Sequence, residues 1–124
     1  MEEQFDLVCK VVLVGESGVG KTSIINRYVE NYFNPNSEST TGASFASKIV
    51  TFDKFQKSIK FEIWDTAGQE KYRALTKIFF KNAAIAILVY DITIPDSFYE
   101  LKNFWYDQVK TYGFSNTSKT NSFI

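Results

Sequence analysis

The chain has 124 residues, a formal net charge of zero and no histidine. Neutrality excludes the broad electrostatic footprint of a nucleic-acid binder or of a protein drawn to an anionic membrane. The missing histidine excludes Ser-His and Cys-His nucleophile pairs and every His-bearing zinc site, leaving carboxylates, lysine, hydroxyls, amides and a hard metal for any chemistry. A hydrophobic content of 44% suffices for one globular core. The lone Cys9 rules out an internal disulfide and reads as a small buried thiol in a reducing, intracellular setting. The longest apolar run, Ala83 to Tyr90, is too short to span a membrane, and the opening MEEQFD carries acids where a signal peptide carries bases.

In chain order, LVCKVVLV (Leu7 to Val14) is apolar except for Lys10 and is followed by glycines, the pattern of a central parallel strand covered on both faces. Lys21 to Tyr32 carries Ile24, Ile25, Tyr28 and Val29 at helical spacing. Asn34 to Gly42 is rich in turn formers and hydroxyls and reads as an exposed loop. Ser44 to Phe52 and Ser58 to Trp64, separated by DKFQK, read as an antiparallel hairpin, and Asp65 to Lys71 as a further loop. Tyr72 to Asn82 reads as a short helix with Leu75, Ile78 and Phe79 on its apolar side, leading into a second buried strand, AAIAILVY. After Pro95, Ser97-x-x-Glu100 has the form of a capping box, and Phe98, Leu101, Trp105 and Val109 recur at helical spacing. The sum is a three-layer α/β domain on a mostly parallel sheet over residues 1–110. The remaining TYGFSNTSKTNSFI is polar, aperiodic and expected to be disordered.

The segment Gly15, Glu16, Ser17, Gly18, Val19, Gly20, Lys21, Thr22, Ser23 fits G-x-x-x-x-G-K-[ST], and it lies between a buried strand and a helix as a phosphate-binding loop must. Glycines let successive backbone N–H groups converge on phosphate oxygens, and the helix N-terminus adds its positive dipole end. Lys21 is then expected to reach the β- and γ-phosphates, and the Thr22 hydroxyl to join Mg²⁺. A glycine turn with no ligand is the plain alternative, and the loop alone does not separate ATP from GTP. WDTAGQE (Trp64 to Glu70) sharpens the choice. It follows a strand end, placing Asp65 where a carboxylate can hold magnesium through water and Gly68 where its N–H can meet a γ-phosphate.

With GESGVGKTS, WDTAGQE, LVYDIT (Leu88 to Thr93), KFEIW (Lys60 to Trp64) and KYRALT (Lys71 to Thr76), the chain resembles the Rab family of small GTPases in the Ras superfamily, over roughly residues 6–110. ESTTGASF (Glu38 to Phe45) is most similar to the endosomal Rabs. The resemblance implies a P-loop NTPase fold and a GTP-hydrolysing switch in vesicle traffic. It also implies a cytoplasmic protein whose full-length relatives associate with the cytosolic face of endomembranes. Thr40 would be the switch threonine, joining Mg²⁺ through its hydroxyl and the γ-phosphate through its N–H. Phe33 would lie along the guanine edge, unless it is an ordinary core aromatic at a helix end. Gln69 would orient the attacking water while Lys21 and Mg²⁺ stabilise charge on the transferring phosphoryl group. GTP would order the two loops and hydrolysis would release them. Phe45, Trp64 and Phe79 match the hydrophobic triad that Rabs present to effectors, with Phe79 where Tyr is commoner; core packing is the plain alternative. Exchange factors, GTPase-activating proteins and Rab effectors are the implied partners.

The chain departs from the family where guanine is recognised: neither Asn-Lys-x-Asp nor the later Ser-Ala-Lys loop is present, and Thr117-Ser118-Lys119 directly follows the third helix. The expectation is therefore a C-terminally truncated G domain lacking the last two strands and helices and the prenylated cysteines, for which Cys9 is no substitute. Loss of two charge-assisted hydrogen bonds of about 1.5–3 kcal/mol each would weaken guanine binding roughly 10²- to 10⁴-fold. The competing readings are a Rab-like switch and a nucleotide-impaired fragment that at most binds regulators or effectors through its switch surface. A generic P-loop ATPase is disfavoured by DTAGQE and LVYDIT.

Overall fold

The computed structural model describes residues 4–33, 35, 44–66 and 76–113. Four strands, β1 (Leu7–Val14), β2 (Ser44–Phe52), β3 (Lys57–Asp65) and β4 (Ile85–Leu88), form one sheet in the order β2-β3-β1-β4. β1 runs parallel to both neighbours, from Leu7 opposite Ile59 to Leu13 opposite Asp65 on one side and from Val11 opposite Ile85 to Val14 opposite Leu88 on the other. β2 and β3 form the expected antiparallel hairpin, closed by a turn in which Gln56 takes a positive φ of 49°. Asp65, expected in a loop, is the last residue of β3.

Because strand side chains alternate between faces, β1 builds two cores. Val11 and Leu13 join Ile25, Ile63 and Val89 beneath α1 (Lys21–Glu30). Val12 and Val14 join Phe80, Ala83, Leu101, Trp105 and Val109 on the opposite face. The second layer of helices comprises α2 (Thr76–Phe80), α3 (Pro95–Glu100), a π-helical turn (Leu101–Trp105) and α4 (Tyr106–Tyr112). The three-layer α/β expectation holds, and two-sided cover of β1 holds for Val11 to Val14, whereas Leu7 and Val8 are exposed. Cys9 is half-buried on the α1 face, and burial pushes its thiol pKa up, as suits an inert packing group.

Several expectations need correction. α1 stops at Glu30, before Tyr32, because Asn31 takes the left-handed conformation (φ 54°) and its N–H closes on the Arg27 carbonyl. In α2 the buried side chain is Phe80, whereas Ile78 is exposed; Tyr72 to Leu75 lie outside the described residues. The strand read as buried, AAIAILVY, is β4 only over Ile85–Leu88, and Ile85 and Ile87 are each 41% exposed on the α1 face, beyond the reach of that single helix.

Ser97 does not cap α3. The helix starts at Pro95 with Ile94 as N-cap, since a proline needs no N–H partner there. Ser97 is buried in the first turn, its single hydroxyl proton directed to the Ile94 carbonyl at 2.7 Å with the Asp91 carbonyl a second acceptor at 3.1 Å, and its oxygen accepting from the Asp91 N–H. Nor does Phe98 face the core. Ser97, Leu101, Trp105, Val109 and Gly113 are the buried positions, one every four residues. At 3.6 residues per turn, each four-residue step overshoots a full turn by about 40°. The wider π turn, in which the Tyr106 N–H reaches back to the Leu101 carbonyl, takes up part of that drift and keeps Leu101, Trp105 and Val109 on one core. Thr111 and Tyr112, assigned to the polar tail, continue α4. No helix among the described residues is long and apolar enough to cross a membrane.

Candidate nucleotide site

Of the expected site residues, the segment Gly15 to Ser23 and Asp65 lie together at the carboxyl ends of β1 and β3, where open parallel sheets bind ligands. β1 ends at Val14 and the chain turns sharply at Gly15, whose φ is 150° and where a Cβ would overlap the Val89 carbonyl oxygen. That approach is open only to glycine. The loop re-enters helix at Gly20, the N-cap of α1, with a positive φ of 106°. No side chain caps α1 and no acidic residue occupies its first turn, so its positive end is directed at the loop.

Lys21 is folded over this loop. Only 3% exposed, its Nζ donates to the Gly15 carbonyl at 2.8 Å and to the Glu16 carbonyl at 2.7 Å. Two carbonyl acceptors offset part of the cost of withdrawing an ammonium from water and hold it beside the loop. Next to it, the Thr22 Oγ1 donates to the Asp65 Oδ2 at 2.5 Å, joining the start of α1 to the end of β3. Asp65 is 1% exposed. The following residue, Thr66, donates its hydroxyl to the Leu13 carbonyl at 2.7 Å, which ties the end of β3 to β1.

This pair fits Mg²⁺ by its donor chemistry: a carboxylate and a hydroxyl oxygen, hard donors of the kind the ion takes. A hydroxyl that donates its proton to a carboxylate still presents oxygen lone pairs to a cation. No group of three His, Cys, Asp or Glu side chains that could hold a metal occurs among the described residues. Magnesium does not require one, because it commonly takes one or two protein oxygens and completes its shell with phosphates and water.

Ser17, Gly18, Val19 and Ser23 lie in the loop and the first turn of α1 around this centre. Phe33 follows α1 and is 51% exposed; with Ser23, Ile24, Arg27 and Tyr28 it lines an open groove. Thr40, Gly68 and Gln69 lie outside the described residues. Of the aromatic triad, Phe45 and Trp64 are cross-strand partners in edge-to-face contact, with centroids 5.1 Å apart. Phe45 is half exposed, while Trp64 and Phe79 rest against the core that holds Trp105. The Trp64 Nε1 is buried with no hydrogen-bond partner among the described residues, and Lys10 lies over its ring at 5.0 Å.

One contact was not signalled by the motifs. The Trp105 Nε1 donates to the Glu16 Oε1 at 2.9 Å, connecting the π-helical turn to the second residue of the loop. Spacing could not have found it, since the two residues are 89 positions apart.

Residues 10–120 match the family described as Ras family. The chain is 43% identical over 115 residues to the GTP-binding protein ypt3 of Schizosaccharomyces pombe, covering 93% of this chain and 52% of that protein. It is 49% identical over 105 residues to human Ras-related protein Rab-22A, covering 84% of this chain and 52% of the relative. Ras-related protein RABA1b of Arabidopsis thaliana is 42% identical over 112 residues, covering 90% and 50%. The chain thus spans about half the length of these relatives. A four-stranded sheet carrying a phosphate loop, matched by the family over nearly all its length, establishes that this chain belongs to the Ras family, among the Rab small GTPases.

Proposed function

We propose that the chain holds the phosphates of GTP or GDP at the carboxyl ends of β1 and β3, as the nucleotide-binding portion of a Rab-type switch in vesicle traffic. The observation that carries this reading is the meeting of residues from two distant parts of the sequence: Lys21 folded over the loop, and beside it Thr22 hydrogen-bonded to Asp65, 43 positions away. Backbone N–H groups of Gly15 to Thr22 and the uncapped start of α1 receive the phosphate oxygens. Lys21, already held at the loop, supplies a positive charge close to the β- and γ-phosphates with little side-chain freedom left to lose. Thr22, Asp65 and Thr40 are the residues that would hold Mg²⁺, which when bound neutralises charge on the phosphates. The N–H groups of Thr40 and Gly68 bind the γ-phosphate, and Gln69 orients the water that attacks it. Phe33 lies against the guanine edge, a role its exposure beside the end of α1 permits.

The exposed Phe45 edge and the Trp64 ring it touches, together with Phe79, form the surface on which effectors read the nucleotide state. Exchange factors and GTPase-activating proteins act on the loops around Thr40 and Gln69.

Titration of the purified chain with GTP, GDP and ATP in Mg²⁺ tests the reading. Guanine-selective binding at micromolar or lower concentration supports a switch. Equal binding of GTP and ATP reduces the reading to a phosphate site and favours a nucleotide-impaired chain that works through its switch surface. No binding of any triphosphate overturns it.

A further inference from the structure

The Trp105 side chain is fully buried, in a core with Val12, Val14 and Phe80. A phenylalanine would supply most of that apolar contact without an N–H to satisfy, and a buried indole N–H destabilises the fold unless it finds an acceptor. Here the acceptor is the Glu16 carboxylate, 2.9 Å away, whose own main-chain carbonyl receives the Lys21 ammonium at 2.7 Å. One residue of the phosphate loop is thereby held from both ends, by the core through its side chain and by Lys21 through its backbone. Trp105 is also the last residue of the π-helical turn, without which a four-residue buried period would rotate it away from the face it shares with Leu101 and Val109.

We propose that Trp105 is a positioning residue for the phosphate loop: its indole N–H fixes Glu16, and through Glu16 the backbone that carries the Lys21 acceptor. The inference rests on the reading of Gly15 to Ser23 as a phosphate site. In consequence, helix packing at the π turn and order in the loop are coupled.

Amide hydrogen exchange on the full chain without nucleotide tests the link directly. Trp105→Phe keeps a ring in the core and removes the N–H. It is expected to accelerate exchange of the Glu16 to Gly20 amides about tenfold, the loss of one hydrogen bond to a charged group, while β2 and β3 are unchanged. Glu16→Ala should do the same, Glu16→Gln should restore the wild-type rate because it retains an oxygen acceptor, and the double variant should be no faster than either single one. Unchanged loop exchange, additive effects, or a uniform rise across the sheet would overturn the proposal and leave Trp105 as packing alone. Should Trp105→Phe fail to fold, the indole N–H resonance of Trp105 in Glu16→Ala decides: displacement from its wild-type position supports the link, and an unmoved resonance refutes it. Release of GTP with Mg²⁺ from the same variants separates the two readings. A wild-type chain that binds no GTP defeats the phosphate-site assignment, whereas bound GTP released no faster from Trp105→Phe or Glu16→Ala defeats the positioning role.

Discussion

The two strands flanking β1 are held very differently. β3 follows β1 from Leu7 to Leu13 and ends in Asp65, which is 1% exposed. β4 is matched only from Val11 to Val14, and two of its four side chains, Ile85 and Ile87, are 41% exposed. On the first side the end of β3 carries Asp65, bonded to Thr22 of α1, and is followed by Thr66, tied to Leu13. β4 contributes to the site chiefly through the turn after it, where the Val89 carbonyl lies against Gly15. The difference implies that the residues assigned to phosphate and metal are fixed by the most completely buried part of the sheet. With fewer buried apolar contacts to hold it, the β4 side is expected to open at lower free energy.

The largest effect expected from breaking this arrangement is that of Lys21→Ala. It removes a buried ammonium and both of its carbonyl bonds, and calorimetry with GTP and Mg²⁺ should find triphosphate binding lost. Binding that survives unchanged would detach the well-ordered side of the sheet from the function assigned to it. Next is the contrast between β4 and the central strand β1 that it flanks. Leu13→Ala, at a position 2% exposed, should cost about 2–5 kcal/mol in urea unfolding. Ile87→Ala, at a 41% exposed position, should cost less than about 1.5 kcal/mol. Equal costs would mean that β4 is as well covered in solution as β1.

The smallest effect concerns the turn after β4. The Thr93 hydroxyl and N–H donate to the Asp91 Oδ1 at 2.6 and 2.8 Å and hold its carboxyl below the usual carboxylate pKa. A pKa lowered by folding stabilises the native state at pH values above the unfolded pKa, about 3.9, and that contribution disappears as pH falls through the folded value. The stability gap between wild type and Asp91→Asn should therefore narrow below about pH 4. A gap that stays constant to lower pH would rule out this contribution.

Much of the architecture was legible because it rests on local period and on glycine. The apolar run of β1, the DKFQK turn and the spacing of GESGVGKTS each encode their structure within a few residues. Asp65 was legible as a companion of the loop because an acid at a strand end, in register with a P-loop, has few other uses. The long helix was misread for a physical reason. Helical periodicity puts Phe98 on the same face as Leu101, but the buried series has a strict four-residue spacing that a regular α-helix cannot keep, and the π turn that reconciles them leaves no local signature. Ser97 was misread because the same residue type caps a helix at one position and, three residues later, ties down the preceding turn. The Glu16 contact to Trp105 depends on tertiary packing and could emerge only from the fold.

The most direct test of the central claim is amide hydrogen exchange of the chain with and without GTP and Mg²⁺. Protection should appear at Gly15 to Thr22 and at Asp65 and Thr66, where β1 and β3 end, while the β4 amides and the segment from Tyr90 to Tyr99 change little. Absence of protection at those two strand ends, or protection centred on β4 and the residues after it, would contradict the account.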